Sequence, residues 1–174
     1  MSSQLDLTLP ATAPELGKYG HINWDEASFA VYSLVEMSNT QLEEVIDALT
    51  RESMEEGLEP WLARLAEPTP NFSGKTLKDI VRAHITMVEK GVNPAGKNGS
   101  THTTLTWYPP AFIVVVKRDW KSAGGLLFVF ADDTEKKRCP MDKFFFTTDD
   151  AWNLLAGLSF GDLWICDVRE SFGK

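Results

Sequence analysis

The stretch that most constrains the fold is residues 111–116, six consecutive apolar positions that are mostly β-branched or aromatic. Such side chains favour a pleated strand. Because no polar residue alternates with them, a strand here must bury both of its faces. We therefore predict a central β-strand at residues 111–116, with other apolar segments of the chain covering each side of it.

Length and charge limit the classes of protein to consider. The chain has 174 residues, of which 43% are hydrophobic, and a net charge of −8. A chain of this length fills one core, so we expect a polar N-terminal arm at residues 1–20 and a single domain at residues 21–174. Within that domain, residues 21–91 should form a helical layer and residues 101–174 a sheet layer. The negative charge repels phosphate backbones and anionic lipid heads, which argues against nucleic acid and membrane partners.

The termini and cysteines indicate a cellular compartment. The first residues carry no basic segment followed by an apolar one, so no signal peptide is expected. No apolar run approaches the ~18 residues that would cross a bilayer. We expect a soluble, cytoplasmic protein, in which Cys139 and Cys166 are free thiols.

The first half of the sequence predicts helices. Apolar residues recur at intervals of three and four, which predicts helices near residues 24–35, 40–54, 60–65 and 77–88. Thr40 and Glu43 form a capping box for the second of these, and Thr76 or Ser73 can cap the fourth. Gly91 follows the fourth helix, where a helix terminator belongs.

After residue 100 the pattern changes to strands. Alternating or continuous apolar residues predict strands near residues 101–108, 111–116, 126–131, 143–147 and 163–168, with Pro109 and Pro110 ending the first. One further helix is predicted after Thr147. Helices gathered before strands indicate an α+β fold, in which about four N-terminal helices pack on a C-terminal, mostly antiparallel sheet of four to five strands.

One histidine stands out as a candidate functional residue. His84 lies on the apolar stripe of the fourth predicted helix, where its imidazole must find a hydrogen-bond partner. It is either a satisfied core histidine or a catalytic or ligand-anchoring group. In the second case His102 and Tyr108 are the other candidate catalytic residues, in a pocket between this helix and the sheet, gated by the loop at residues 92–100.

Other candidate chemistry has weaker support. The three histidines and two cysteines have no metal-ligand spacing, so neither a metal site nor a cofactor is expected. Cys139 follows three basic residues, which favours a lowered thiol pKa, but no partner base can be named, so an inert thiol is the favoured interpretation. Cys166 resembles a core residue. The segment 73–76, Ser-Gly-Lys-Thr, is similar to the end of a phosphate-binding loop, but the first glycine of that motif is replaced by Thr69. Lys75 and free amides at the helix start could still hold an anion.

Two functions of different classes follow from these patterns. The first is a non-catalytic module that binds a protein partner through an acidic and aromatic surface, with Glu43, Glu44, Glu55, Trp107 and Trp120 as the contact residues. The second is a small-molecule-binding protein or enzyme, with its pocket around His84. A filled core around His84 would favour the first function, and a pocket that reaches it would favour the second.

Overall fold

A computed structural model describes residues 5–19, 27–55, 62–93, 104–122, 124–135, 137–160 and 163–173. The strands are β1 (Ser28–Ser33), β2 (Ala63–Leu65), β3 (Val92–Asn93), β4 (Thr104–Leu105), β5 (Trp107–Val115), β6 (Leu126–Ala131) and β7 (Met141–Phe146). The helices are α1 (Asn39–Glu55), α2 (Leu77–Lys90), α3 (Gly157–Ser159) and α4 (Val168–Phe172). Short helical turns occur at Pro14–Gly17, Thr148–Asp150, Trp152–Ala156 and Ile165–Asp167.

The core is a mixed five-stranded sheet in the order β2-β1-β5-β6-β7. β1 runs parallel to both β2 and β5, whereas β6 and β7 extend the sheet with antiparallel pairs. The α+β class is therefore confirmed. The predicted order is wrong, because helices and strands are interspersed and two strands come from the first half of the chain.

Two of the four predicted N-terminal helices are strands in the described residues. β1 replaces the helix predicted at residues 24–35, and β2 replaces the helix predicted at residues 60–65. All six residues of β1 are buried. A strand buried on both faces loses the alternation that distinguishes a strand from a helix, and a short apolar run fits either period.

The central strand is confirmed, but it begins earlier than predicted. β5 passes through Pro109 and Pro110, which do not end it. The pairing of β5 with β1 shifts register between Ser28 and Ala30, so that the intervening part of β5 bulges away from the ladder. Proline is tolerated at such a bulge because its missing N–H is not needed there.

The C-terminal segment also differs from the sequence prediction. The strand predicted at residues 163–168 is a helical turn followed by α4. Ile165 and Val168 are buried, whereas Cys166 is exposed, which is the three-residue spacing of a helix. The helix predicted after Thr147 is confirmed in outline by successive helical turns from Thr148 to Ser159.

Helical segments cover both faces of the sheet. Side chains on one face include Tyr32 and Phe112, whose rings contact His84 of α2. Alternate positions point to the opposite face, where Arg169 of α4 donates a hydrogen bond to Asp142 of β7. The connection from β1 to β2 contains α1 and runs across the sheet in one direction, whereas the connection from β2 to β5 contains α2 and runs in the opposite direction. Because crossovers between parallel strands are right-handed, α1 and α2 lie on opposite faces of the sheet.

The ends of α1 and α2 show how local sequence fixes these helices. Thr76 caps α2, one of the two caps that the sequence predicts, and with Asp79 it forms a reciprocal capping box. At α1 the reciprocal pair is Ser38 and Gln41, with N···O distances of 2.8 and 3.1 Å. The predicted pair was Thr40 and Glu43, two residues later. Among the described residues, neither of these helices nor any other is long and apolar enough to cross a membrane.

Candidate functional site

His84 is fully buried between α2 and the sheet, and both of its ring nitrogens have hydrogen-bond partners. Nε2 lies 3.0 Å from the carbonyl oxygen of Pro109, and Nδ1 lies 2.8 Å from the hydroxyl of Tyr32. A carbonyl can only accept, so Nε2 carries the proton and the Tyr32 hydroxyl donates to Nδ1. The bulge that keeps Pro109 in β5 thus provides the partner that fixes the tautomer of His84.

This environment keeps the imidazole neutral. Burial lowers the pKa of His84 to about 4, although the hydrogen bond to Pro109 opposes the shift. Burial raises the pKa of the Tyr32 hydroxyl far above its ordinary value. A histidine with both nitrogens occupied and no exposed surface has no free base to offer a substrate, so the reading of His84 as a satisfied core histidine fits the geometry.

Of the other two candidate catalytic residues, only Tyr108 is described, and its ring is not brought to His84. The ring of Tyr108 is buried and lies 4.4 Å from that of Phe29, on the face of the sheet opposite to Tyr32 and His84. Burial raises the pKa of Tyr108 as well. His102 and most of the loop predicted to gate the pocket lie outside the described residues. The structure therefore assembles no catalytic pair around His84 from the residues that it describes.

A cleft does open beside the His84 pair, along α2. This α2 cleft has a volume of about 700 Å³, and it is lined by Tyr32, Glu67, Pro68, Thr69, Phe72, Arg82, Ala83, Thr86, Met87, Lys90, Gly91, Thr106 and Trp107. One wall is the surface of α2, and the facing wall is the segment that follows β2. His84 itself does not line the cleft, which reaches only as far as its partner Tyr32.

The floor of the α2 cleft is apolar. It consists of Tyr32, Phe72, Met87 and Trp107, three of which are buried. The Trp107 ring is held in place by the guanidinium of Arg64, which lies 4.7 Å from the ring centroid. The backbone at Gly91 leaves no room for a side chain, because an added Cβ would lie 2.9 Å from the Trp107 ring.

The rim of the α2 cleft carries more positive than negative charge. Arg82 and Lys90 line the helical wall eight residues apart, which is ~12 Å along the axis, and Glu67 lies on the facing wall. The Arg82 side chain is mostly exposed, with the Asp79 carboxylate 3.9 Å away. In a chain with a net charge of −8, this rim is locally favourable for an anionic group.

A second concavity lies at the carboxyl ends of the parallel strands. This edge crevice has a volume of about 740 Å³, and it is lined by Leu5, Asp6, Leu34, Val35, Glu36, Gly74, Lys75, Thr76, Val116, Lys117, Arg118 and Asp119. Its walls are the segments that follow β1 and β5 and the segment that precedes α2. Within the sheet, β2 is the neighbour of β1 on one side and β5 is its neighbour on the other, and the chain leaves β1 towards β2. The crevice between the ends of β1 and β5 is therefore at the topological switch point.

Most of the backbone amides at the start of α2, beside this crevice, are already engaged in hydrogen bonds. The Thr76 N–H donates to the Asp79 carboxylate, and the Asp79 N–H donates to the Thr76 hydroxyl. The Leu77 N–H donates to the carbonyl of Asp6, 3.0 Å away. The similarity of segment 73–76 to a phosphate-binding loop is therefore weak in the backbone, although β2 does precede it. For an anion, the exposed Lys75 side chain and the Lys78 N–H, which has no partner among the described residues, remain available.

The predicted partner-binding residues divide into two groups. Glu43, Glu44 and Glu55 are exposed on α1, and Glu44 lies 3.8 Å from Lys121. Trp107 and Trp120 are buried, with exposed fractions of 3% and 4%, so they cannot form the aromatic part of an outer surface. Burial follows from their positions at the start of β5 and in the turn after it, where large rings complete the core. In the part of the chain that the structure describes, the exposed large aromatic residues are Phe160 and Trp164.

The structure agrees with the sequence interpretation for one cysteine and differs from it for the other. Cys139 is buried, and burial raises its thiol pKa, as expected of an inert thiol. Cys166 is exposed rather than a core residue, because the segment around it is helical. Among the described residues, no group of three or more His, Cys, Asp or Glu side chains is arranged to hold a metal ion.

The sequence does not identify several residues of the α2 cleft. It predicts Tyr32 in a helix and Trp107 on an outer surface, and it assigns Phe72 to no element. A signal for Met87 was present, because it lies three residues after His84 on the buried stripe of α2.

Comparison of the chain with models of known protein families, with curated proteins and with solved structures finds no match.

Proposed function

We propose that this protein binds a small, mainly apolar molecule in the α2 cleft, as a binding protein rather than as an enzyme. The observation that carries the proposal is the apolar floor of the cleft, formed by Tyr32, Phe72, Met87 and Trp107. Ligand sites in proteins are concave, have volumes of ~300–1,000 Å³ and are lined mainly by apolar and aromatic side chains with a few polar groups. At about 700 Å³ the α2 cleft has these properties.

The state of His84 supports a binding role over a catalytic one. Its two nitrogens are occupied and its pKa is about 4, so it does not exchange protons near neutral pH. Its contribution to the site is indirect, because it accepts the hydrogen bond that fixes the Tyr32 hydroxyl. A rigid floor reduces the entropy that is lost when a ligand binds.

The rim indicates the polar part of the ligand. Arg82 and Lys90 stand at either end of the helical wall, and Thr86 lies between them. An elongated molecule of up to ~12 Å with an apolar body and an anionic end would place its body on the floor and its charge beside one of these cations. A fatty acid or an aromatic carboxylate has this chemistry.

A fluorescent amphiphile tests the proposal. Anilinonaphthalene sulfonate, which combines an apolar body with an anionic group, should bind with a blue-shifted emission that is displaced by a medium-chain fatty acid. Thr86→Phe puts a ring into the cleft and should abolish the signal. The matched control is Lys78→Phe, which adds the same ring to an exposed position of α2 outside the cleft.

The proposal fails if the probe binds equally to Thr86→Phe and Lys78→Phe, since binding then occurs elsewhere. It also fails if the wild-type protein, folded by circular dichroism, binds neither the probe nor the fatty acid. The melting temperatures of both variants should stay close to that of the wild type, because both positions are exposed.

A second candidate function is binding of a basic protein partner by the exposed acidic face of α1. What supports it is the exposure of Glu43, Glu44, Asp47 and Glu55 along one helix of an acidic chain. Reversing the charge at Glu43 and Glu44 should weaken such a complex, and raising the salt concentration should weaken the wild-type complex. A complex that responds to neither change would contradict this function.

We also propose an intracellular location, supported by the two free cysteines.

A further inference from the structure

We propose that the edge crevice is a separate binding site for a small phosphorylated sugar or polyol. The proposal starts from the position of the crevice. In open sheets with parallel strands, ligands bind outside the carboxyl ends of the strands at the point where the strand order reverses. Here that point lies between β1 and β5, and the crevice of about 740 Å³ opens directly above it.

Cationic side chains from two separate segments meet in this crevice. Lys75 precedes α2, whereas Lys117 and Arg118 follow β5. The ion pairs among the described residues are formed by other lysines and arginines. None of these three side chains forms an ion pair with a described carboxylate. Arg118 is oriented by a hydrogen bond of 2.8 Å from its Nε to the carbonyl oxygen of Glu36. Its remaining guanidinium donors, with the two lysines, fit the several oxygens of a phosphate group.

The same crevice also contains carboxylates, and these restrict the ligand. Asp6, Glu36 and Asp119 line it together with the three cations. One Asp6 oxygen accepts a hydrogen bond from the Thr8 N–H, and its pKa is lowered mainly for that reason. Among the described residues, no hydrogen-bond partner is found for the Glu36 and Asp119 carboxylates. Ionised carboxylates repel a bare phosphate, but they accept hydrogen bonds from hydroxyl groups. A ligand with both phosphate and hydroxyls satisfies both sets of charges.

The lining argues against a nucleotide base as part of the ligand. The apolar positions are Leu5, Leu34, Val35 and Val116, and none of the described residues that line the crevice is aromatic. Bases are usually held by stacking on an aromatic ring, which the α2 cleft could offer and this crevice does not. A sugar phosphate needs no such platform. The edge crevice and the α2 cleft share no lining residue, so the two sites can be tested independently.

Isothermal titration of the full chain with glucose 6-phosphate tests the proposal. Binding is expected, with much weaker binding of glucose and of inorganic phosphate, because each satisfies only half of the crevice. Lys75→Ala and Lys117→Ala should each weaken binding about tenfold, since each removes one charge-assisted contact. Lys137→Ala, an exposed lysine outside the crevice, should leave the affinity unchanged.

The inference is overturned if glucose 6-phosphate does not bind, if inorganic phosphate binds equally well, or if Lys137→Ala weakens binding as much as the crevice variants. Lys75 and Lys117 are exposed side chains, so their variants should fold, and Lys75→Gln repeats the test with a residue of similar size. Thr86→Phe, which fills the α2 cleft, should leave this affinity unchanged. That result separates the edge crevice from the proposed function of the cleft.

Discussion

Acidification should destabilise this protein through His84, and the size of the effect follows from its surroundings. The imidazole is fully buried, and its pKa is about 4 compared with an ordinary value of 6.5. Protonation would leave a second ring N–H facing the Tyr32 hydroxyl, which would then have to turn from donor to acceptor. The buried positive charge would have no carboxylate partner among its two hydrogen-bonding groups.

The sign and the pH window come from the depressed pKa. Between pH 6.5 and pH 4 the unfolded chain binds a proton at His84 and the folded chain does not. The stabilising contribution of the neutral ring is therefore fully present above pH 6.5 and is lost progressively as the pH falls to about 4. A difference of about 2.5 pKa units corresponds to roughly 3 kcal/mol of unfolding free energy.

Urea unfolding at a series of pH values measures this contribution when wild type is compared with His84→Gln. The glutamine amide can still donate to the Pro109 carbonyl, but it does not titrate. Carboxylates titrate in both proteins, so their effects cancel in the difference between the two unfolding free energies. That difference should shrink by roughly 3 kcal/mol from pH 7 to pH 4. Parallel curves over this range would show that His84 is not held neutral by burial.

Other predictions concern the turns, the thiols and the buried hydroxyl. Gly125→Ala should destabilise by about 2 kcal/mol or more, because its φ is +97° and the new Cβ would lie 2.0 Å from the Phe146 carbonyl oxygen at the end of β7. Gly124→Ala, with φ +95° and open space around the new Cβ, should cost only about 1 kcal/mol by urea unfolding. Iodoacetamide should label Cys166 in the native state and leave Cys139 unmodified until the protein unfolds, and mass spectrometry of the peptides would reveal the opposite order. Tyr32→Phe should cost about 1–3 kcal/mol, because it leaves a buried acceptor unsatisfied, and an unchanged midpoint of unfolding would contradict the hydrogen bond.

Sequence reasoning predicted the parts of the fold that local patterns determine. α2 has Thr76 as its cap, an apolar stripe and His84 on the buried side, as the sequence indicates. The antiparallel pair β6 and β7 and the central strand were also predicted. Each of these depends on residues that are neighbours in sequence or on a run that must be buried on both sides.

The parallel part of the sheet could not be predicted in the same way. A parallel strand pairs with residues far away in sequence, and its burial on both faces removes the alternation that would identify it. β1 shows this most clearly, because its apolar residues also fit a helical stripe. Pro109 and Pro110 were read as strand terminators because the bulge that accommodates them exists only once β1 lies alongside β5.

Because β1 is predicted as a helix, the sequence indicates a pocket between α2 and the sheet without its floor, and it does not indicate the edge crevice at all. Tyr32, in β1, forms part of the floor of the α2 cleft and donates to His84, while Leu34, just after β1, begins the wall of the edge crevice. Without β1 between β2 and β5 there is no switch point, so the lysines at positions 75 and 117 have no reason to meet. Both sites thus depend on one buried parallel strand, yet their polar residues lie on the loops and on the outer face of α2. Those loops and that face can therefore vary in charge, and with it in ligand, without disturbing the core that positions them.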